Sequence, residues 1–158
     1  MKVLIGKPPG PRSKKVQKVS VRIDPWDTWS MDYTLAPLVL PMLQQLKIAN
    51  HGAPFVDDVD VPEGLRSTSA APKKHEHDVD ELHFSRWAWV MDEMIFAFET
   101  KLSDDYLEKN SSIISEYVEG KSSLLKKHDF DWVAIKELED RMQNGFVLFG
   151  KYFQALWD

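Results

Sequence analysis

The predicted helix around His83 contains the residue types best suited to chemistry (DELHFSRWAWVMDE). His83, Arg86 and Glu93 fall along one side of it at spacings of three and seven, and Asp92 falls on another. Because such helices supply metal ligands in helical bundles, His83, Asp92 and Glu93 define one hypothesis, a metal-dependent hydrolase. A di-iron centre needs Glu-x-x-His twice, and only Asp80 precedes His83 by three residues. We therefore favour salt-bridged, solvated helix faces.

Basic side chains next to tryptophans indicate a second kind of site, which binds an anionic ring compound. Arginine and lysine bind phosphate oxygens by charge-assisted hydrogen bonds, and tryptophan stacks on a flat ring. Such a site holds a nucleotide-like ligand without catalysis and without a cofactor. Simple helix–helix packing is the alternative, since Gly145 and Gly150 allow another backbone to approach the last helix. The residues predicted to bind the ligand are Arg22, Trp26, Trp29, Arg86, Trp89, Arg141, Asn144 and Lys151.

Sequence signatures of catalysis are missing from the chain. It has no cysteine, which excludes thiolate nucleophiles, disulfides and cysteine-based metal sites. No serine lies in a nucleophile-elbow context, and there is no Walker A or dinucleotide fingerprint. The acidic stretch at residues 57–63 lacks the spacing of an EF-hand, so we interpret it as a solvated loop. We therefore expect a protein that is not an enzyme.

Charge is distributed unevenly along the chain. Residues 1–22 contain seven basic residues and no acidic one, whereas the remainder contains 13 basic and 25 acidic residues, a net charge of −12. The basic, proline-rich arm at residues 1–18 is suited to docking on an acidic neighbouring subunit. No aromatic residue precedes Trp26, so we expect nucleic acid to bind this arm only non-specifically.

Hydrophobic periodicity predicts a mainly α fold, a compact helical domain of three to four main helices with a short N-terminal β-strand or hairpin. Residues 19–23 alternate as a strand and pair with residues 2–5. Helical patterns extend to about residue 49, over 78–101, and from the predicted N-cap Asp131 nearly to the C-terminus.

Three features of this pattern are less regular. Pro37 and Pro41 should divide the first helix or bend it. Residues 50–77 form a long loop, and residues 102–128 fit a helix or a strand equally well. We treat residues 1–158 as a single domain, since the length suits one hydrophobic core.

Several segments resemble a family of small proteins encoded by tailed bacteriophages. They are VRIDPWDTWSMD at residues 21–32, HGAPFVDD at 51–58, HFSRW at 83–87, MDEMI at 91–95 and the C-terminal segment 144–158. The resemblance covers most of the chain apart from its start and residues 67–77 and 102–128. It implies a phage accessory protein in the cytoplasm of the infected host, and it carries over no catalytic residues because no activity is established for that family.

Three functions are consistent with these observations. The first is a non-enzymatic phage protein that binds a small anionic ligand and sequesters a host defence signal. The second is a virion or assembly protein whose basic arm docks on a neighbour, and the third is the metal-dependent hydrolase. Both binding functions predict a homo-oligomer, because exposed aromatic side chains need to be buried. No apolar run is long enough to cross a membrane.

Overall fold

Three helices form the body of the protein. The computed structural model describes residues 1–73, 75, 77–103, 109–116 and 125–157. Helix α1 spans Met31–Ala49, α2 spans His83–Leu102 and α3 spans Trp132–Lys151, which confirms the predicted mainly helical fold. Helix α2 packs against both of the others and provides the most deeply buried side chains. Those side chains are Trp87, Val90, Met91 and Met94.

Two antiparallel hairpins flank the helices. Strands β1 (Lys2–Ile5) and β2 (Val19–Arg22) pair with Lys2 opposite Arg22, which confirms the predicted N-terminal hairpin. Strands β3 (Ser111–Glu116) and β4 (Leu125–Phe130) form a second hairpin. The described part of residues 102–128 beyond α2 is therefore mainly strand, an outcome that the sequence left open.

Helix α1 continues through both of its prolines as one helix of 19 residues. The alternative of two short helices is therefore wrong. Pro37 and Pro41 lack the N–H groups that would bond the carbonyls of Tyr33 and Pro37. Because all three residues are exposed, water can bond those carbonyls instead.

The ends of the helices differ from the predicted ones by a few residues. Helix α2 begins at His83 rather than near residue 78, since the Asp80 carboxylate accepts a hydrogen bond from the Leu82 N–H at 2.9 Å. The predicted N-cap of α3 is confirmed, because the Asp131 carboxylate accepts from the Ala134 N–H at 3.0 Å. Helix α3 ends at Lys151, where a 3₁₀ turn follows.

The long connection between α1 and α2 is tied to the core. Within the described part of residues 50–77, its regular structure consists of the short 3₁₀ helices Asp58–Asp60, Glu63–Leu65 and Ser67–Ser69. Val56 and Val61 are buried against the helices. In the described part of the chain, no helix is long and apolar enough to span a membrane.

Helices α2 and α3 cross closely at Gly145. A Cβ atom added there would lie 2.3 Å from the backbone oxygen of Glu93 and 2.6 Å from the Cβ of Ala97. The close backbone approach predicted for Gly145 is thus confirmed. At Gly150 no other atom lies within 4 Å of such a Cβ, so that glycine is not required for packing.

Gly145→Ala and Gly150→Ala should therefore have opposite effects. We expect Gly145→Ala to lower the free energy of unfolding by about 2 kcal/mol, because an overpacked contact forces the helices apart. Gly150→Ala should raise it by up to about 1 kcal/mol, the gain of alanine over glycine in a helix. Denaturant unfolding followed by circular dichroism measures both variants. Equal stability of the two would contradict the close crossing.

Candidate binding surface

Arg86 holds the long loop against the start of α2. Its guanidinium donates to the Asp80 carboxylate at 2.6 Å and to the Leu65 carbonyl at 3.0 Å. The two charged side chains are only 6% and 9% exposed. This ion pair lowers the pKa of Asp80, because the hydrogen bond from Arg86 stabilises the ionised carboxylate. Arg86 thus joins the loop to the helix.

Arg141 joins α3 to α2. Its Nε and Nη2 atoms donate to the Glu93 carboxylate at 3.0 and 2.6 Å, a bidentate pair. The guanidinium also lies over the ring of Phe96, 3.7 Å from the ring centroid. Glu93 is buried, and the Arg141 guanidinium balances the negative charge of its carboxylate. Without Arg141, that charge would lie unpaired between the two helices.

Lys151 and Tyr152 hold the acidic part of the loop at the end of α3. The Lys151 ammonium lies 2.7 Å from Asp57 and 2.5 Å from Asp60, and these hydrogen bonds raise its pKa. The Tyr152 hydroxyl donates to Asp60 at 2.5 Å and accepts from the Asp57 N–H at 3.0 Å. Burial and the bond to Asp60 raise the pKa of Tyr152 to about 12. Two carboxylates of the acidic stretch are therefore already paired with a lysine of the same chain.

The three residues of the metal hypothesis have separate partners. The Nε2 atom of His83 lies 3.1 Å from the carbonyl oxygen of Ala53, and its ring contacts two phenylalanines edge-on. Asp92 pairs with Lys47 of α1, and Glu93 pairs with Arg141. His83 and Asp92 are nine residues apart, about 13 Å along the helix axis. Across the described residues, no three histidine or acidic side chains form a group that could hold a metal ion.

Arg22, Trp26 and Trp29 belong to the N-terminal part of the chain. Arg22 ends strand β2, Trp26 lies within the 3₁₀ helix Pro25–Thr28, and Trp29 is the C-cap residue of that helix. Their rings stack on each other, with centroids 5.4 Å apart and planes 11° apart, and they are 74% and 79% exposed. A flat ligand ring could stack only on the outside of this pair.

The remaining predicted residues lie on α2 and α3. Trp89 is half-buried against the core, and Asn144 is exposed. Arg86, Arg141 and Lys151 are held by three different sets of carboxylates, so an anionic ligand would have to compete with each of them. Binding of such a ligand stays a prediction.

The side of α1 that faces away from α2 carries no charged residue. The only charged residues of α1 are Asp32 and Lys47, and they pair with Lys101 and Asp92 of α2. The exposed side between these pairs is here called the α1 face. It consists of Met31, Leu35, Leu38, Pro41, Met42, Gln45 and Ile48. Met42 is 68% exposed and Ile48 is 81% exposed.

A groove of about 820 Å³ continues from the α1 face toward α3. Its volume lies within the range of small-molecule and peptide sites. None of the eight predicted ligand-binding residues is among the described residues that line it. Those lining residues are Val39, Pro41, Met42, Leu43, Gln45, Leu46, Ala49, Phe149, Phe153 and Leu156.

The sequence itself contains a signal for this surface, although none of the predicted ligand-binding residues lies on it. An amphipathic surface helix normally carries charged residues on its outer side. The stretch from Tyr33 to Leu46 contains none, although 28% of the whole chain is charged. A helix that is apolar on both sides is typically buried on both sides. This pattern indicates a contact surface.

Comparisons of the chain with models of protein families, with curated proteins and with solved structures gave no match. The resemblance to tailed-phage proteins therefore stays a prediction.

Asp80→Asn tests whether the Arg86 pair is structural. We expect the variant to lose about 3 kcal/mol of unfolding free energy at pH 7, because it leaves the buried Arg86 uncompensated. The pKa of Asp80 in the folded chain lies below the ordinary pKa of an aspartate, so the stabilisation is complete above that ordinary value and is lost as pH falls through the folded pKa. The difference between wild type and variant should therefore shrink in acid.

Asp140→Asn is the matched control, since Asp140 pairs with Lys136 on the exposed side of α3. It should leave the unfolding midpoint nearly unchanged at every pH. Urea titrations at several pH values measure both variants. A loss at Asp80 no larger than the loss at Asp140 would show that the Arg86 pair contributes nothing.

Proposed function

We propose that the protein is a non-enzymatic assembly protein that acts by self-association through the α1 face. The observation that carries this proposal is the absence of charged residues from the α1 face, which extends about 26 Å along the helix from Met31 to Ile48. Exposed apolar surface of this extent is typical of protein–protein contacts. The described residues offer no comparable arrangement for catalysis, since each acidic or histidine side chain of the metal hypothesis has a partner of its own.

The charges of α1 argue for an uncharged partner surface. Asp32 and Lys47 point toward α2 and are paired there, so the α1 face offers nothing to a highly charged partner. Burying an unpaired charge against it would be costly. A second copy of the chain presents the same charge-free surface, and a twofold interface brings identical surfaces together.

The spacing of the α1 face also suits helix pairing. Met31, Leu35, Leu38 and Met42 follow one another at intervals of four, three and four, and Gln45 continues the series. This is the 3.5-residue period by which helices pack along each other. Gln45 is the one polar residue in the series, and a polar residue at such a position fixes the register of a helix pair.

The groove widens the proposed interface beyond one helix. Phe149, Phe153 and Leu156 extend apolar surface from α1 to the end of α3. Stable interfaces bury about 800 Å² on each partner, which usually takes side chains from more than one element. We therefore place the side chains of the second copy both along α1 and in the groove.

This proposal keeps the assembly function among the three considered from the sequence, but places the contact between copies on the α1 face and not on the basic arm. Binding of a nucleotide-like ligand that sequesters a host defence signal stays a second hypothesis, which the ion pairs of Arg86, Arg141 and Lys151 disfavour. Action in the cytoplasm of an infected host, or in the virion, depends on the phage resemblance. Mass spectrometry of purified particles would separate these two locations.

Met42→Glu tests the α1 face. The carboxylate would lie unpaired in the proposed interface, so we expect the dimer to weaken by about a hundredfold or more, the equivalent of a few kcal/mol. Sedimentation velocity over a range of protein concentrations measures the dissociation constant. Thermal unfolding confirms that the variant is folded, since Met42 is exposed in the single chain.

Val147→Glu is the matched control. Val147 is an exposed apolar residue of α3 that is not among the described residues lining the groove. It should leave the dissociation constant unchanged. A wild-type chain that stays monomeric at high micromolar concentration would refute the proposal, as would equal weakening by both variants.

A further inference from the structure

Two groups of basic residues differ in whether they pair with carboxylates of the chain. On the three helices, all six lysines and arginines pair with a carboxylate of the same chain. Their positive charge is therefore neutralised within the fold. These six residues are Lys47, Arg86, Lys101, Lys136, Arg141 and Lys151.

The second group lies in residues 1–22, here called the N-terminal ribbon. It contains seven lysines and arginines. None of these seven basic side chains forms an ion pair or hydrogen bond with a described acidic residue. The N-terminal ammonium is different, since it lies 2.5 Å from Asp27. The seven unpaired residues are Lys2, Lys7, Arg12, Lys14, Lys15, Lys18 and Arg22.

The ribbon has two unlike faces. The register pairs Lys2 with Arg22 and Val3 with Val21, and side chains of directly opposed residues lie on the same face of a hairpin. One face therefore carries both basic residues together with Leu4 and Ser20. The other face carries only valine and isoleucine. The loop of residues 6–18 carries five further basic residues, and three of them, Arg12, Lys14 and Lys15, lie at the tip beside a turn in which the Ser13 N–H donates to the Gly10 carbonyl.

We propose that the N-terminal ribbon binds the phosphate backbone of double-stranded DNA, with its basic face and tip in the major groove. The major groove is wide enough to admit a two-stranded β-ribbon. Seven positive charges, none of them paired with a described carboxylate, suit the regular phosphate charges of a duplex. The remainder of the chain has a net charge of −12, so the duplex should contact the ribbon and not the rest of the chain.

Part of the acidic surface of the helical body is already paired within the chain, which makes a second copy a poorer partner for the ribbon. The acidic residues there that already accept from basic residues of their own chain are Asp32, Asp57, Asp60, Asp80, Asp92, Glu93 and Asp140. A ribbon that docked on them would have to displace those partners. DNA phosphates release mobile counterions instead, which favours binding at low salt.

The expected contact is not specific for base sequence. The basic face of the paired strands offers Ser20 as its one neutral hydrogen-bonding side chain. Phosphate contacts position a protein on DNA but carry no sequence information. The proposed activity is therefore general attachment to duplex DNA, and it is separate from self-association through the α1 face.

Salt-dependent binding to DNA tests the proposal. Fluorescence anisotropy with a labelled duplex of arbitrary sequence gives the association constant of the full chain between 50 and 200 mM salt, a range over which such contacts weaken by orders of magnitude. Lys14→Gln with Lys15→Gln should make the slope of log K against log salt shallower by about 0.9 for each phosphate contact removed. Both residues are exposed in the loop, so the variant should unfold at the wild-type temperature.

Lys101→Gln with Lys136→Gln is the matched control, because it removes the same charge from paired residues of the helices. It should leave the slope unchanged. The proposal would be overturned if the wild type did not bind DNA at low salt, or if both double variants changed the slope equally.

Two competitors distinguish the partner. Poly-glutamate that displaced the DNA at equal charge concentration would show that the ribbon binds acidic protein surfaces, and would overturn the proposal. Duplex RNA has a deep, narrow major groove, so it should compete less well than DNA. Equal competition by RNA would rule out the placement of the ribbon in the groove.

Discussion

The contact between Gly145 of α3 and the backbone of α2 sets the positions of the other groups described here. With no side chain between the helices, the Glu93 carbonyl lies against α3, and Arg141, one turn earlier on α3, reaches the Glu93 carboxylate. Two turns later, Tyr152 and Lys151 reach the acidic loop. Phe98 of α2 meets Phe146 and Phe149 edge-on, which closes the core beside the groove. A wider crossing would break the pairing on both sides of Gly145 at once.

The distribution of charge follows from this packing. Because α2 lies in the middle and carries both acidic and basic residues, it neutralises the charges of α1 on one side and Arg141 of α3 on the other. The outer side of α1 is left without charge, and the ribbon is left without carboxylates. One chain therefore has an apolar surface suited to a second copy and a basic surface suited to a polyanion, and neither surface needs the other in order to act.

Much of the fold was predictable from the sequence. The N-terminal hairpin followed from alternating valines, α3 from its periodic aromatics and the cap at Asp131, and the tight crossing from Gly145. Helix α1 was harder, since Pro37 and Pro41 disfavour a continuous helix unless the unbonded carbonyls of Tyr33 and Pro37 reach water, which depends on the side of the helix that is exposed. The partners of Arg86, Arg141 and Lys151 were not predictable, because pairing across a core depends on helix placement and not on spacing along the chain. For the same reason, basic residues next to tryptophans in sequence predicted a ligand site although each of these three has a carboxylate partner in the fold.

The central claim is that the α1 face contacts the same face of a second copy of the chain. Crosslinking of a single introduced cysteine tests this claim most directly. The chain has no cysteine, so Gln45→Cys creates the only thiol, on the α1 face, and Gln143→Cys creates one on the exposed side of α3. Treatment with a short bis-maleimide at low protein concentration should convert Gln45→Cys to a covalent dimer and leave Gln143→Cys monomeric. Failure of Gln45→Cys to crosslink, or equal crosslinking at the two positions, would contradict the account.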